Sequence, residues 1–175
     1  DRGACHLRAT FYKPELAGMI PPEQIEGKAH MFLDFEDRLA IFDTLILCRF
    51  YRDFYLWDVL EEVIGKVTGL EAGETVLKEK ARAIAGLIRR FNLREGMQPA
   101  DERLPPALHR ALTDTGQVIT EDQLEVMLKE YYQLQGWDES GQVLEEYRLA
   151  DVLGVRHVGD TGSYSRVYAR YDVSS

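Results

Sequence analysis

Hydrophobic and polar residues follow a helical period along most of the chain. Apolar side chains recur at three- and four-residue spacings, which is the signature of one buried helix face. The pattern predicts helices over residues 28–42, 55–67, 74–91 and 120–135, and a last short one over about 144–153. The predicted apolar faces are Met31, Phe32, Phe35, Leu39 and Phe42; Leu56, Val59, Leu60, Val63, Ile64 and Val67; Leu77, Ala81, Ile84, Leu87, Ile88 and Phe91; and Leu124, Met127, Leu128 and Tyr131.

The helix ends carry their own signals. Gly69 follows the second helix where a left-handed C-cap is expected, and Thr120 with Gln123 forms a capping-box pattern. The predicted fold class is therefore all-α and multihelical. We expect a helical domain over residues 1–154 and a tail over 155–175, in which residues 163–173 alternate enough to form a short strand.

Composition and charge exclude several classes of function. The net charge of −9 argues against nucleic-acid binding, which needs a basic face. No run approaches the roughly 20 apolar residues of a membrane span. With two cysteines in 175 residues a disulfide framework is not expected, and a cytoplasmic setting is. Because the chain begins at Asp1 rather than Met, we expect a fragment, a processed product or one domain of a longer protein.

Three residues stand out as candidate chemistry. Cys48 ends the apolar run "AIFDTLILCRF", where an inert core thiol is the ordinary expectation, because a metal site needs more ligands than this chain offers. Asp43 in the same run needs donors, either from within the chain or from a polar ligand. His6 is either a surface residue or a proton carrier. The aromatic residues that follow are expected in the core; they are Phe50, Tyr51, Phe54, Tyr55 and Trp57.

Taken together, several stretches resemble the C-terminal helical region of the tungsten- or molybdenum-pterin aldehyde ferredoxin oxidoreductase family. The resemblance covers roughly residues 2–154. Its landmarks, in the family's order, are "RGACHLRA" (2–9), "EGKA" (26–29), "DTLILCRF" (43–50), "VTGLE" (67–71), "RRFNLREGM" (89–97), "LP" (104–105), "MLKEYYQLQGWD" (127–138) and "LG" (153–154).

The resemblance implies roles for four residues. In this family a D-x-x-G-L-C motif ends in a cysteine that is the fourth ligand of a [4Fe–4S] cluster, which would be Cys48. The aspartate and leucine of the motif contact one of two pterins that hold the metal, and Asp43 and Leu47 occupy those positions. His6, in the C-H-L stretch, corresponds to a histidine that handles protons near the metal.

The implied reaction oxidises an aldehyde with water to a carboxylic acid and passes electrons through the cluster to ferredoxin. Both cofactors, a bis-pterin tungsten or molybdenum centre and the cluster, would be completed by residues outside this chain. The implied partners are the N-terminal and middle domains of the same enzyme, ferredoxin and the aldehyde. Neither nucleic acid nor membrane is expected as a partner, and a homodimer is left open.

Ile46 departs from the family motif, because it stands where glycine is usual. This departure favours an alternative, a non-catalytic helical assembly or regulatory module derived from the family. The two hypotheses predict different surfaces. If Cys48 is exposed beside a large apolar patch, this surface is expected to contact the part of the enzyme that this chain lacks. If the surface is closed and polar, the chain is expected to be an independent module.

Overall fold

The computed structural model describes residues 8–144, apart from the side chain of Pro99. Within this range five α-helices and no β-strand form, which confirms the all-α, multihelical prediction. The α-helices are α1 (Tyr12–Leu16), α2 (Lys28–Thr44), α3 (Trp57–Thr68), α4 (Glu74–Arg94) and α5 (Glu121–Leu134). Short 3-10 helices occur at Arg49–Tyr51, Pro99–Asp101 and Pro106–His109. The expected helix beyond residue 144, the tail strand and the limit at residue 154 lie outside the described residues.

The long helix α2 is the centre of the fold, because it packs against both α4 and α5, while α3 packs against α4. Leu39, Phe42 and Leu60 are fully buried. Burying each such side chain stabilises the fold by about 1.5–3 kcal/mol. The buried cluster that joins α2, α3 and α4 consists of Leu39, Ile41, Phe42, Trp57, Leu60, Ile64, Leu77 and Ala81.

The predicted helix ends agree with the structure. Gly69 caps α3 with a φ of 74°, in the left-handed region. At the start of α5, the Thr120 hydroxyl accepts a bond from the Gln123 amide nitrogen at 3.2 Å, and the Gln123 side chain accepts one from the Thr120 nitrogen at 2.9 Å. These local contacts define where the helices begin and end.

Some predicted core positions are wrong. Leu56, Val67 and Phe91 are exposed. Leu56 precedes α3, and the other two lie in the last turns of their helices, where the apolar stripe continues past the packed part. The guanidinium of Arg94 lies over the Phe91 ring, 5.2 Å from its centre, and covers one face of it. Helix α1 was not expected, since five residues are too few to show a period.

Candidate functional site

The end of α2 forms a tight turn that carries the motif residues. The Leu47 nitrogen donates to the Phe42 carbonyl at 2.9 Å, and the Ile46 nitrogen donates to the Asp43 carbonyl at 3.1 Å. This pair of bonds is the Schellman arrangement of a helix C-terminus. Ile46 occupies its left-handed position with a φ of 57°. Since glycine is the residue that adopts this conformation without strain, the turn expected of a glycine is formed here by isoleucine.

Cys48 lies directly after this turn, and its side chain is exposed. Its carbonyl accepts a bond from the Tyr51 nitrogen at 3.0 Å, which starts the 3-10 helix Arg49–Tyr51. The expectation of an inert core thiol, drawn from residue type alone, is therefore wrong. Across residues 8–144, no group of three or more His, Cys, Asp and Glu side chains is arranged to hold a metal ion.

Asp43, in the last turn of α2, is bound by arginines of the same chain. Its two carboxylate oxygens accept from Arg49, one from Nε at 2.9 Å and the other from Nη2. Arg8 Nη1 lies 3.5 Å from the same carboxylate. Of the two possible sources of donors, the internal one is present. The Asp43 side chain nevertheless retains 43% of its exposure, because it stands at the surface rather than in the core.

The other two candidate residues are placed differently. Leu47 is half-buried and packs against the core cluster of α2, α3 and α4. His6 lies outside the described residues. The nearest described part of its segment is Arg8, whose carbonyl oxygen is 3.5 Å from Arg49 Nη1. Arg49 therefore contacts both Asp43 and Arg8.

An exposed apolar segment, residues 46–56, surrounds Cys48 in the sequence. Ile46 is 93% exposed, Phe50 87% and Phe54 72%. Tyr51 and Leu56 are also exposed. The prediction that the aromatics at 50, 51 and 54 belong to the core is wrong, while Trp57 is buried as expected. Large side chains stay exposed together when the surface that covers them belongs to another part of the molecule or to a partner.

Two buried arginines donate hydrogen bonds to backbone carbonyls of this segment. The sequence patterns did not indicate this role. Arg38 of α2 donates from Nη1 to the Arg52 carbonyl at 2.7 Å and to the Tyr55 carbonyl at 3.4 Å. Arg52 donates from Nη1 to the Arg49 carbonyl at 2.6 Å. Burial lowers the pKa of Arg38, and nearby Asp34 counteracts that effect. The sequence did contain one indication that Arg38 is buried, because this positive charge stands beside apolar helix residues such as Leu39.

A cavity of about 350 Å³ lies between α2, α4 and α5. Its walls are mainly apolar and include Phe32, Ile84, Ile88 and Met127. On one side the Tyr131 hydroxyl donates to a Glu36 carboxylate oxygen at 2.6 Å. Burial, the negative charge of Glu36 and the hydrogen bond to Glu36 raise the pKa of Tyr131 well above its usual value, with burial the largest cause.

Asp37, also on α2, is a buried acid beside this cavity. Its Oδ2 lies 3.5 Å from Nε of Arg82 on α4. The pKa of Asp37 is raised to about 7; burial is the main cause, the charge of Arg82 opposes it, and the neighbouring Glu36 adds to it. The sequence offered no signal for this pair, because Asp37 and Arg82 come together only when α2 packs on α4.

A family model described as "Aldehyde ferredoxin oxidoreductase, domains 2 & 3" matches residues 1–149. The chain belongs to the aldehyde ferredoxin oxidoreductase family. The tungsten-containing aldehyde ferredoxin oxidoreductase of Thermococcus kodakarensis is 30% identical over 164 residues, 89% of this chain and 26% of the relative. The Pyrococcus furiosus enzyme of the same description is 31% identical over 162 residues, 86% of this chain and 27% of the relative.

The chain spans about a quarter of the length of these aldehyde ferredoxin oxidoreductases. In these relatives the matched region is thus part of a larger enzyme that has other domains. In the part of this chain that the structure describes, no helix has the length and apolar character to cross a membrane.

Proposed function

We propose that this chain is the C-terminal helical part of an enzyme that oxidises aldehydes to carboxylic acids at a tungsten-pterin centre. Electrons would leave through a [4Fe–4S] cluster to ferredoxin. In this proposal Cys48 is a cluster ligand, Asp43 and Leu47 contact a pterin, and His6 moves a proton. We propose tungsten rather than molybdenum as the metal, because the similar enzymes are described as tungsten-containing.

The observation that carries the proposal is the exposure of Cys48 within the apolar segment 46–56. The thiol is accessible, and the side chains beside it, such as Ile46 and Phe50, have no cover within the described residues. A surface of this kind fits a contact with the rest of a larger enzyme. A cytoplasmic setting is part of the proposal, because two cysteines in 175 residues do not make a disulfide framework.

The described residues fit one corner of an iron–sulfur cluster. Such a cluster is held by four cysteine thiolates as a rule. Cys48 supplies one accessible sulfur on a turn whose backbone is fixed by the Phe42 and Asp43 carbonyls. The remaining ligands would come from outside residues 8–144, in agreement with the share of the relatives that this chain leaves uncovered.

The described residues also fit one edge of a pterin. An ionised carboxylate offers about four acceptor positions, and the contacts of Asp43 with Arg49 and Arg8 leave room for a further donor. The Leu47 nitrogen is already bonded to the Phe42 carbonyl, and the Leu47 side chain packs on the core. We therefore assign the Leu47 contact to its carbonyl oxygen or to the exposed edge of its side chain.

Oxidation of an aldehyde with water to a carboxylic acid releases two electrons and two protons. The tungsten-pterin centre and the cluster would supply the electron chemistry when bound. In this proposal the chain itself helps to hold the cluster and the pterin, and it moves a proton. His6 would accept a proton as the aldehyde is hydrated, since imidazole changes its charge near neutral pH.

One observation favours the alternative, a non-catalytic module derived from the family. Ile46 has a branched side chain at a position where the family's glycine has no side chain at all. The residue is 93% exposed, so this side chain projects from the turn. A pterin that approaches Asp43 closely would have to pass this side chain. The turn itself keeps the left-handed conformation, so the alternative depends on the side chain and not on the backbone.

Metal analysis of the complete enzyme that contains this chain tests the proposal. The wild-type enzyme should contain four iron atoms and one tungsten per site. Cys48→Ser should lose most of the iron and the electron paramagnetic resonance signal of the reduced cluster. The matched control is Cys5→Ser, which changes the chain's other cysteine and should retain both. Wild-type enzyme without iron, or full iron in Cys48→Ser, would contradict the assignment.

A further inference from the structure

Arg49 makes contacts with three parts of the site at once. Its Nε and Nη2 donate to the two oxygens of Asp43 at the end of α2. Its Nη1 lies 3.5 Å from the carbonyl oxygen of Arg8. Its own carbonyl accepts from Arg52 Nη1 at 2.6 Å, so its backbone is fixed as well. One residue thereby joins the α2 terminus, the Cys48 turn and the segment that carries Arg8.

The form of this contact determines the orientation of Asp43. A guanidinium that faces both oxygens of a carboxylate fixes the plane of the carboxylate as well as its position. A lysine ammonium would attract the same charge without fixing the plane. The proposed function assigns a pterin contact to the acceptor capacity of Asp43 that its contacts with Arg49 and Arg8 leave open.

Arg49 follows Cys48 directly in the sequence, and its positively charged guanidinium is held against Asp43 at the end of the same turn. A thiolate-bound cluster is anionic and becomes more negative on reduction, and nearby charge is one of the factors that set its potential. Arg49 as a cation favours the reduced form, whereas Asp43 as an anion opposes it. Their electrostatic effects on a cluster at Cys48 therefore have opposite signs.

We propose that Arg49 is a positioning residue that orients Asp43 toward the pterin and raises the reduction potential of the cluster bound through Cys48. This inference rests on the proposed function. It adds a residue that no motif assigned, and it predicts two effects that can be measured separately, the clamp on Asp43 and the influence of charge on the cluster.

The clamp is tested in the full 175-residue chain by a double-mutant cycle with Arg49→Gln and Asp43→Asn. If Arg49 and Asp43 stabilise one another, the double variant should be about as stable toward urea as either single variant. Arg90→Gln, a change at an exposed arginine on α4, is the control and should combine additively with Asp43→Asn. Additive effects of Arg49 and Asp43 would overturn the clamp.

The charge effect is tested in the complete enzyme by a redox titration followed by electron paramagnetic resonance. Arg49→Gln should lower the midpoint potential of the cluster, and Asp43→Asn should raise it. Arg49→Lys should keep the potential near that of the wild type, because the positive charge remains. It should lower the pterin content, because an ammonium group cannot face both oxygens of Asp43 as the guanidinium does. Shifts in the same direction, or no shift, would overturn the role.

The two tests separate the possible failures. A wild-type enzyme without a cluster would refute the proposed function, and with it the influence of Arg49 on the potential, while the urea experiment would still decide the clamp. A cluster with unchanged potential in both variants would refute the influence of Arg49 and leave the assignment of Cys48 in place.

Discussion

Ile46 combines two properties that rarely occur together, a branched side chain and a backbone in the left-handed region. Its φ is 57°, and the clash of Cβ with the following carbonyl costs about 1–2 kcal/mol in this region. The side chain is almost fully exposed, so packing within the described residues does not offset this cost. Strain of this kind is found most often at functional sites.

Ile46→Gly should raise the free energy of unfolding of the chain by about 1 kcal/mol, because glycine removes the clash and no buried contact is lost. Equilibrium unfolding in urea measures the change. Ile46→Val is the control, since it keeps a branched residue in the same backbone conformation and should stay within about 0.5 kcal/mol of the wild type. A glycine variant less stable than the wild type would show that the isoleucine side chain is stabilising.

At the scale of elements, α2 organises both the core and the site. Its middle buries Leu39 and Phe42, its last turn carries Asp43, and Arg38 reaches under the segment that follows. The contact of α2 with α4 also contains Asp37 beside Arg82, a buried acid whose charge is only partly balanced. Packing between these two helices should therefore depend on pH.

The contribution of Asp37 to stability should fall as the pH rises from about 4 to about 7. In the unfolded chain Asp37 ionises near its ordinary pKa of 3.8, whereas in the folded chain the pKa is about 7. Between these values the folded chain keeps a proton that the unfolded chain has released, so the slope is negative. Each unit of pKa is worth about 1.4 kcal/mol, which makes the loss several kcal/mol.

Asp37→Asn should remove this part of the pH dependence, because the amide stays neutral throughout. Urea unfolding of wild type and variant at pH 5 and pH 8 measures the difference. The exposed Asp114→Asn is the control and should leave the wild-type slope unchanged. If Asp37→Asn keeps the full slope, then another group is responsible for it.

The long helices could be predicted from the sequence because each carries a period over many residues. Helix α4 was expected over 74–91 and forms Glu74–Arg94, with its start correct to the residue. The capping box at Thr120 could be predicted as well, since its partner Gln123 is only three residues away in the sequence. In contrast, Phe50 and Phe54 were wrongly placed in the core. Hydrophobicity alone does not say whether a side chain is covered, and within the described residues both of these are exposed.

The candidate site could be predicted only in part. The motif indicated Asp43, Leu47 and Cys48, and the structure shows that the first and last of these are exposed. The pairing of Asp43 with Arg49 and Arg8 could not be predicted, because opposite charges are common. The turn at Ile46 brings Arg49 to Asp43, and Arg8 reaches Asp43 only through the tertiary fold. The role of each residue toward a cofactor stays a prediction.

At the scale of the whole molecule, segment 46–56 concentrates large exposed apolar side chains, among them Ile46, Phe50 and Phe54. The chain accounts for about a quarter of the length of its relatives. We therefore expect the segment to form the contact with the rest of the enzyme, with Phe50 and Phe54 at its centre.

Replacing Phe50 and Phe54 together by serine should leave the stability of the isolated chain within about 0.5 kcal/mol, because both are largely exposed. The same pair of changes should weaken assembly with the rest of the enzyme by at least tenfold, measured by co-purification and analytical ultracentrifugation. Leu16→Ser combined with Val67→Ser is the control, since both residues are exposed elsewhere. Equal loss of assembly in the control would show that segment 46–56 is not the specific contact.

The support that Arg38 and Arg52 give to the Cys48 segment has a consequence for how firmly that segment is held. Arg38 donates to the carbonyls of Arg52 and Tyr55, and Arg52 donates to the carbonyl of Arg49, so three backbone positions after Cys48 are tied to buried cations. Because these hydrogen bonds involve charged donors, they are stronger than bonds between neutral groups. The exposed side chains of Cys48, Phe50 and Phe54 therefore keep a fixed place relative to α2.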